Sequence, residues 1–483
     1  MQPEYIFLTF MVYTLLLFAV SFITSRKADN ESFFTGNRVS PWYVVAYGMI
    51  GASLSGVTFI SVPGAVGKDS FSYLVMVLGY FIGYLVIIKI LLPLYYRLNV
   101  ISIYSYFRNR FGFYTYKSGA SYFLLSRIIG ASFRMYLIIS VLQAFVFDSW
   151  HIPFWVTVAL FIGLIMLYTF KAGIKTIVWT DTLQTTFMLA SVFLTLWFIS
   201  DHLNLGMSEL FHKISESDYS KVFITDWHHP RFFVKQFVAG MFMSIVMTGM
   251  DQDMMQKNLT CRTLKDSQKN MFWMSFSLIP INLIFLLLGA ALYIYAASTG
   301  MTLPEKSDHL FPAVALGSLG PVAGVTFIIG LVAAAYSSAD SALTALTTSF
   351  SIDILGIDKE GRYTKEKQVR IRKIVHFAVA FTLFLVIILF NAISRESVIN
   401  ELFKIAGYTY GPLLGLFAFG LFTKYKIYDK GVVAVVIAAP VISYLLNIYS
   451  KQLFNNYVFG FELLIINGLL TFAGLFLIRR KTI

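Results

Sequence analysis

The sequence carries little charge. Only 13% of its 483 residues are charged, 57% are hydrophobic, and the mean hydropathy is +0.71. Soluble proteins usually have about 25% charged residues, so this composition excludes an ordinary soluble protein. Apolar runs of roughly 20 residues, the length that a helix needs to cross a bilayer, recur along the chain. Because these runs are continuous and do not alternate, they predict an all-α integral membrane protein.

Cysteine and catalytic motifs are also scarce. Cys261 is the single cysteine, so the chain can form neither an internal disulfide nor a Cys/His metal centre. The seven histidines form no H-E-x-x-H motif, and the sequence has no nucleophile elbow and no Walker motif. These absences argue against a membrane-bound enzyme. We therefore expect the functional residues to lie within the helix bundle.

Thirteen membrane spans are predicted from apolar runs that are bounded by charges or by Gly and Pro clusters. They cover residues 5–24, 41–65, 72–97, 118–147, 152–170, 176–200, 233–256, 271–297, 322–352, 374–393, 400–423, 430–448 and 456–478.

Basic residues are distributed unevenly over the loops between these spans. With the N-terminus outside, the inside loops hold most of the 38 Lys and Arg residues, among them Lys257. The outside loops hold seven: Lys68, Lys213, Lys221, Arg231, Lys306, Arg395 and Lys451. Since cytoplasmic loops are enriched in Lys and Arg, we expect an outside N-terminus and a cytoplasmic C-terminus. The net charge of +13 then reflects topology and does not indicate a nucleic-acid partner.

Small and hydroxyl residues fill the second span from Gly48 to Gly64, including Ser53, Ser55 and Thr58. Such a stretch can lose helical hydrogen bonds and turn its carbonyls toward an ion or a solute. It can equally serve as a close contact between two helices. The stretch by itself favours neither interpretation.

The ninth span carries a polar stripe, because Ser337, Asp340, Ser341 and Thr344 recur at intervals of three or four residues. Hydroxyl and carboxylate oxygens are typical ligands of hard cations, which include Na+. The alternative is a hydrogen-bonded seam between helices. We favour the ion site, since a buried Asp is costly inside a membrane.

Asp181 lies in a polar cluster near the start of the sixth span. If it faces Asp340 and Ser341, the three side chains form a cation cage, and one carboxylate carries a proton when the cage is empty. Alternatively, Asp181 caps the start of the helix with help from Thr180. The two roles are compatible.

Two arginines of the fourth span, Arg127 and Arg134, are seven residues apart and therefore share a helix face. An Arg inside a bundle can hold an anionic solute, pair with a nearby acid or extend toward the membrane surface. Arg134 is our candidate for contact with the solute.

Four segments carry a resemblance to a known family: Ser53–Phe59, Tyr168–Gln184, Asp251–Lys257 and Ala334–Ser341. Through them the sequence resembles the sodium:solute symporter family over nearly the whole chain. Within this family, the sequence most resembles the bacterial branch that carries sialic acids, sugars and monocarboxylates. The resemblance implies a multi-pass protein of the bacterial inner membrane.

The resemblance also implies a LeuT-type fold in a single transmembrane transporter domain, residues 1–483. This fold consists of two inverted five-helix repeats with extra N- and C-terminal helices. Here the extra N-terminal helix would be 5–24, the repeats 41–200 and 233–423, and the C-terminal helices 430–478.

Site residues follow from the same resemblance. The general Na+ site would use carbonyls of Gly51, Leu54 and Ala334 and hydroxyls of Ser337 and Ser338. A second cation site, found in some members, would use Asp181, Asp340 and Ser341. Asp340 stands where the sialic-acid relatives have Ser, which brings H+ into consideration as a coupling ion.

The solute would contact Ser53, Ser55, Thr58 and Arg134. Two further polar residues of the sialic-acid branch are absent from this sequence. Val77 stands at the position of a Gln of that branch, and Gly130 or Ala131 stands at the position of an Arg. Arg134 lies about one turn from that missing Arg and is expected to replace it.

The sequence thus predicts a secondary active, Na+-coupled symporter that imports a small polar solute by alternating access. The favoured solute is an organic anion such as a sialic acid, another sugar acid or a monocarboxylate. A Na+- or H+-coupled symporter of neutral sugars or amino acids is the alternative, and a transporter-like sensor or a channel is more remote. We expect no nucleic-acid partner, a membrane-lipid environment and function as a monomer.

Overall fold

The computed structural model describes residues 2–24, 30–357, 362–393 and 398–480. Several basic residues that enter the predicted orientation lie outside these ranges: Arg26, Lys27, Lys359, Arg395 and Lys481. Within them, the chain is almost entirely helical, and two short strands form one antiparallel ribbon, β1 (Lys426–Ile427) with β2 (Arg479–Arg480).

The helices up to residue 216 are α1 (Pro3–Thr24), α2 (Asn30–Thr35), α3 (Trp42–Asp69), α4 (Tyr73–Val86), α5 (Leu92–Leu98), α6 (Ser105–Arg110), α7 (Phe113–Leu142), α8 (Phe154–His202) and α9 (Met207–Glu216). Those that follow are α10 (Phe233–Ser244), α11 (Gln252–Asn258), α12 (Leu264–Thr299), α13 (Leu310–Ala313), α14 (Gly320–Ser349), α15 (Lys365–Ile393), α16 (Val398–Thr409), α17 (Gly411–Phe422), α18 (Val432–Ile448), α19 (Ser450–Leu453) and α20 (Leu463–Leu477). Short π-helical segments extend α4, α7, α10, α13 and α14.

Many of these helices can cross a bilayer. Eight stretches of the described chain are long and apolar enough, and two bent helix pairs raise the number to ten. One of the eight, Trp42–Leu98, contains both the second and the third predicted span. Shorter apolar helices cover Phe154–Leu167 and Leu463–Leu477. The all-α membrane architecture is therefore confirmed, whereas the number of thirteen spans stays a prediction.

Several spans are broken. Helix α3 is interrupted at Ser55, which has φ 52° and ψ 172°, a region that residues with a side chain rarely adopt. Helix α8 is interrupted at Gly173, between the predicted fifth and sixth spans. The axis bends by 68° between Phe233–Gly249 and α11 and by 43° between Leu402–Thr409 and α17. The sequence indicates the break in α3, but the two bent pairs were predicted as continuous spans.

Helix α14 forms the centre of the bundle. It packs against α3, α7, α8 and α1, and every residue from 331 to 349 is buried. The polar stripe of the ninth span therefore faces other helices along its whole length, where each polar group needs a partner or a ligand. The broken helix α3 lies between α8, α12 and α14.

Candidate functional site

A cavity of about 660 Å³ lies beside the break in α3. Its walls come from α3, α4, α7, α10 and its π-helical extension, α11 and α16. The structure brings all four predicted solute residues together here, since Ser53, Ser55, Thr58 and Arg134 line this one space. The cavity combines hydroxyl groups, guanidinium groups and apolar side chains, which is the usual composition of a site for a polar small molecule.

The two arginines in the wall differ in their partners. Arg127 forms a buried ion pair with Asp253 and has Asp251 3.9 Å away. Arg134 has no hydrogen bond or ion pair with any described residue, and its Nε is fully buried without a partner. Since a buried guanidinium nitrogen without a partner is costly, this side chain is suited to an anion in the cavity.

Three tyrosines of α4 also line the cavity, and the sequence analysis missed them. Tyr73 and Tyr80 have their hydroxyl oxygens 3.3 Å apart, and the Tyr84 hydroxyl lies 3.4 Å from that of Thr248. Their intervals of seven and four residues place them on one helix face, which is the signal that could have identified them. Val77, at the position of the family's Gln, is buried but does not line the cavity.

The residues predicted for the general Na+ site lie on α3 and α14, which pack against each other. Gly51 and Leu54 come directly before the break at Ser55, so carbonyl groups there are released from regular helical bonding. On α14, the Ser338 hydroxyl is buried and has no hydrogen-bond partner among the described residues. A buried hydroxyl without a partner and carbonyls released from helical bonding are suitable ligands for a hard cation.

Ser337, the residue before Ser338 on α14, adds a second hydroxyl. It donates a 2.7 Å hydrogen bond to Oδ1 of Asp181 on α8. A hydroxyl that donates its proton still has two lone pairs. Ser337 can therefore bond to Asp181 and bind a cation at the same time.

The residues predicted for a second cation site are arranged differently from the expectation. Lys257 donates a 2.7 Å hydrogen bond to Oδ2 of Asp181, and both side chains are 1% exposed. Asp340 accepts a 2.6 Å hydrogen bond from the backbone N–H of Ser341, whose hydroxyl bonds to the Ser337 carbonyl. Asp181 thus has an ammonium group as its partner.

Two expectations about this region are wrong. Lys257 is not a loop residue, because it lies on the fully buried helix α11. Asp181 does not cap a helix, because it lies well inside the second half of α8, where backbone N–H groups already have helical partners.

Helix α11 closes the cavity at one end, where Met254 forms part of the wall. Two of its side chains bond to neighbouring segments. Gln256 donates a 2.8 Å hydrogen bond to the Phe34 carbonyl, and Gln252 donates one of 2.8 Å to the Ile101 carbonyl. These two hydrogen bonds hold α11 against α2 and against the segment between α5 and α6.

A second, larger cavity of about 1320 Å³, here called the vestibule, adjoins the central cavity. Phe403 lines both this vestibule and the central cavity. The vestibule wall includes Lys68, Lys404 and Arg231, which forms a 2.8 Å salt bridge with Asp69. Phe403 is thus the side chain between a basic entrance and the central cavity.

The comparisons with known proteins agree with this arrangement. The model of the sodium:solute symporter family matches residues 33–438, which is most of the chain. The chain belongs to the sodium:solute symporter family. This symporter is therefore a multi-pass membrane transporter with Na+ as its coupling ion, and it is not an enzyme.

Its relatives include two bacterial proteins. The sodium/sialic acid symporter NanT of Aliivibrio fischeri is 24% identical over 482 residues, which are 97% of this chain and 92% of the relative. The sodium/sialic acid symporter SiaT of Proteus mirabilis is 24% identical over 456 residues, which are 92% of this chain and 89% of the relative.

The fold of the symporter also matches a solved structure. A Na+-coupled sialic acid symporter in a substrate-bound outward-open state superposes with a TM-score of 0.83, at 20% identity and over 99% of both chains. The predicted LeuT-type fold is confirmed by this similarity.

Proposed function

We propose that this symporter imports an acidic sugar of the sialic-acid class together with Na+. The observation that carries the proposal is the guanidinium of half-buried Arg134, whose buried Nε has no hydrogen-bond partner among the described residues and which lines a cavity rich in hydroxyl groups. Two relatives that align over nearly the whole chain are sodium/sialic acid symporters.

The chemistry of the cavity supports this class of solute. The carboxylate of the solute would pair with Arg134, and its ring hydroxyls would bond to Ser53, Ser55 and Thr58. A neutral sugar would leave the guanidinium unpaired, and a small aliphatic monocarboxylate would leave most of the hydroxyls unused. The lining therefore favours a solute with one negative charge and several hydroxyls.

For the ion, we propose that Na+ binds the carbonyls of Gly51, Leu54 and Ala334 and the hydroxyls of Ser337 and Ser338. The support is the Ser338 hydroxyl on α14, which has no partner among the described residues, the break in α3, and the packing of these two helices against each other. Na+ bound there would fix the backbone just before Ser55. The solute would then find its hydroxyl partners already in place, so each ligand would increase the affinity for the other.

We further propose that residues 41–200 and 233–423 are the two inverted repeats. In support, the first span of each is broken, at Ser55 in α3 and between Gly249 and Gln252 at the start of α11. Half-helix ends of this kind surround the binding sites of transporters built from inverted repeats. One pair of repeats supplies a full pathway, which favours function as a monomer within the lipid bilayer.

For orientation, we propose that the vestibule opens outside and that α11 closes the cytoplasmic end, in the inner membrane of a bacterium. The N-terminus is then outside and the C-terminus cytoplasmic. The vestibule wall supports this, because Lys68, His229 and Arg231 come from loops that the distribution of basic residues assigns to the outside.

Thermal stability of the purified full chain tests the proposal. N-acetylneuraminic acid and its methyl ester share a ring but differ in charge. We expect Na+ to raise the melting temperature relative to choline, and the free acid to raise it further in Na+ only, because ligands that bind the folded state stabilise it. The methyl ester should have little effect. A shift with neutral sugars or amino acids, and none with the acid, would contradict the proposal.

A further inference from the structure

We propose that the Lys257 ammonium fills the cation position beside Asp181, so that this symporter carries a tethered cation there and binds one Na+ in each transport cycle. The inference rests on the proposed function, since it takes the general Na+ site as given. It concerns the number of ions and the role of a lysine that the sequence places in a loop.

Both carboxylate oxygens of Asp181 already have partners in the bundle. Its Oδ2 accepts a 2.7 Å hydrogen bond from Lys257 and its Oδ1 accepts one of the same length from Ser337. Asp181 and Lys257 are each 1% exposed at the side chain, so the charges of this pair balance each other away from water. The carboxylate of Asp181 therefore already has its cation.

Charge repulsion from Lys257 also disfavours a free Na+ beside Asp181. At the effective dielectric constant of about 20 that describes protein sites, two unit charges of the same sign about 4 Å apart repel strongly enough to weaken binding roughly 1000-fold. A free Na+ at Asp181 would have to lie beside the ammonium of Lys257 or displace it. Displacement would leave an unpaired ammonium group in the core, which is also costly.

The pair also connects to the proposed Na+ site through one hydroxyl. Ser337 donates a hydrogen bond to Asp181, which leaves the two lone pairs of its hydroxyl oxygen available to a cation. Lys257 thereby acts as a positioning residue, because it neutralises Asp181 without taking the place of the first ion. The general Na+ site keeps its ligands, while the Lys257 ammonium of α11 occupies the cation position beside Asp181.

Sodium binding to the purified full chain tests the proposal. Binding of ²²Na+ gives the number of ions, and the Na+ dependence of the thermal shift gives the Hill coefficient. We expect about one ion per wild-type chain and a Hill coefficient near 1. Lys257→Met should free the position, so that about two ions bind and the Hill coefficient rises above 1.

Three further variants sharpen the comparison. Lys257→Met combined with Asp181→Asn should return to one ion, because the freed carboxylate is gone. Lys257→Arg keeps the charge and should bind one ion. Lys235→Met removes another buried lysine, one whose ammonium lies 3.8 Å from the Tyr457 ring centre, and should leave Na+ binding unchanged.

Two ions on the wild type, with one lost in Asp181→Asn, would overturn the proposal and leave the proposed function intact. One ion on a folded Lys257→Met variant would overturn it as well. Should Lys257→Met fail to fold, the wild-type count and Asp181→Asn still decide. No Na+ binding to any variant, including the wild type, would instead refute the general Na+ site itself.

Discussion

The hydroxyl of Tyr410 donates a 2.6 Å hydrogen bond to Asp251, and this contact joins two broken spans at their breaks. Tyr410 lies between α16 and α17, and Asp251 directly precedes α11, where its side chain also accepts a hydrogen bond from the Asp253 N–H. Arg127 lies near the same carboxylate. The two breaks are thus joined by one side-chain hydrogen bond.

Tyr410→Phe removes the hydrogen bond and keeps the ring. A hydrogen bond to a charged group contributes about 1.5 to 3 kcal/mol, so we expect a lower melting temperature and a weaker response to solute. Tyr425→Phe, at an exposed tyrosine, is the matched control. An unchanged melting temperature in Tyr410→Phe would show that the two breaks do not depend on this contact.

Arg134→Gln tests the pairing with the solute carboxylate. We expect the affinity for N-acetylneuraminic acid to fall about 10- to 100-fold, which corresponds to the loss of a charged hydrogen bond. Binding of the methyl ester should change little, because the ester has no carboxylate that could pair with Arg134. Isothermal titration in Na+ buffer measures both, and Arg108→Gln, an exposed arginine, serves as the control. Equal losses for acid and ester would argue for a general disruption of the cavity.

The sequence predicts much of this cavity because polar residues inside a membrane span are rare and costly. Ser53, Ser55, Thr58 and Arg134 stand out in apolar runs, and all four line the cavity. The tyrosines of α4 do not stand out, since a tyrosine in a span is also common at the membrane surface.

The partner of Asp181 could not be predicted for a different reason. Lys257 follows an apolar run and precedes Arg262 and Lys265, which is the usual appearance of a cytoplasmic loop. Its burial depends on the 68° bend before α11, which turns the segment back into the bundle. A bend of this kind depends on contacts far apart in the chain, such as that between Asp251 and Tyr410.

Ser337→Ala and Ser338→Ala test the general Na+ site. Each removes one hydroxyl ligand, so we expect the Na+ concentration for half-maximal thermal stabilisation to rise about tenfold in each variant. Ser443→Ala, which removes a buried hydroxyl bonded within α18, should leave it unchanged. If both α14 variants keep the wild-type Na+ dependence, the ion binds elsewhere.

Phe403→Ala tests the passage between vestibule and cavity. Because Phe403 lines both spaces, its truncation should open a path between them and speed solute release several-fold, with a smaller effect on Na+ binding. Dissociation of labelled solute from the purified symporter gives the rate. Phe459→Ala alters the vestibule alone and is the control. A release rate equal to that of the wild type would place the barrier at another residue.

The most direct test of the account is uptake of labelled N-acetylneuraminic acid into proteoliposomes that contain the purified symporter. An inward Na+ gradient should drive accumulation above the external concentration, a choline gradient should not, and Arg134→Gln should abolish most of the uptake. Accumulation that is equally fast without Na+, or that follows a proton gradient instead, would contradict Na+-coupled import of an acidic sugar.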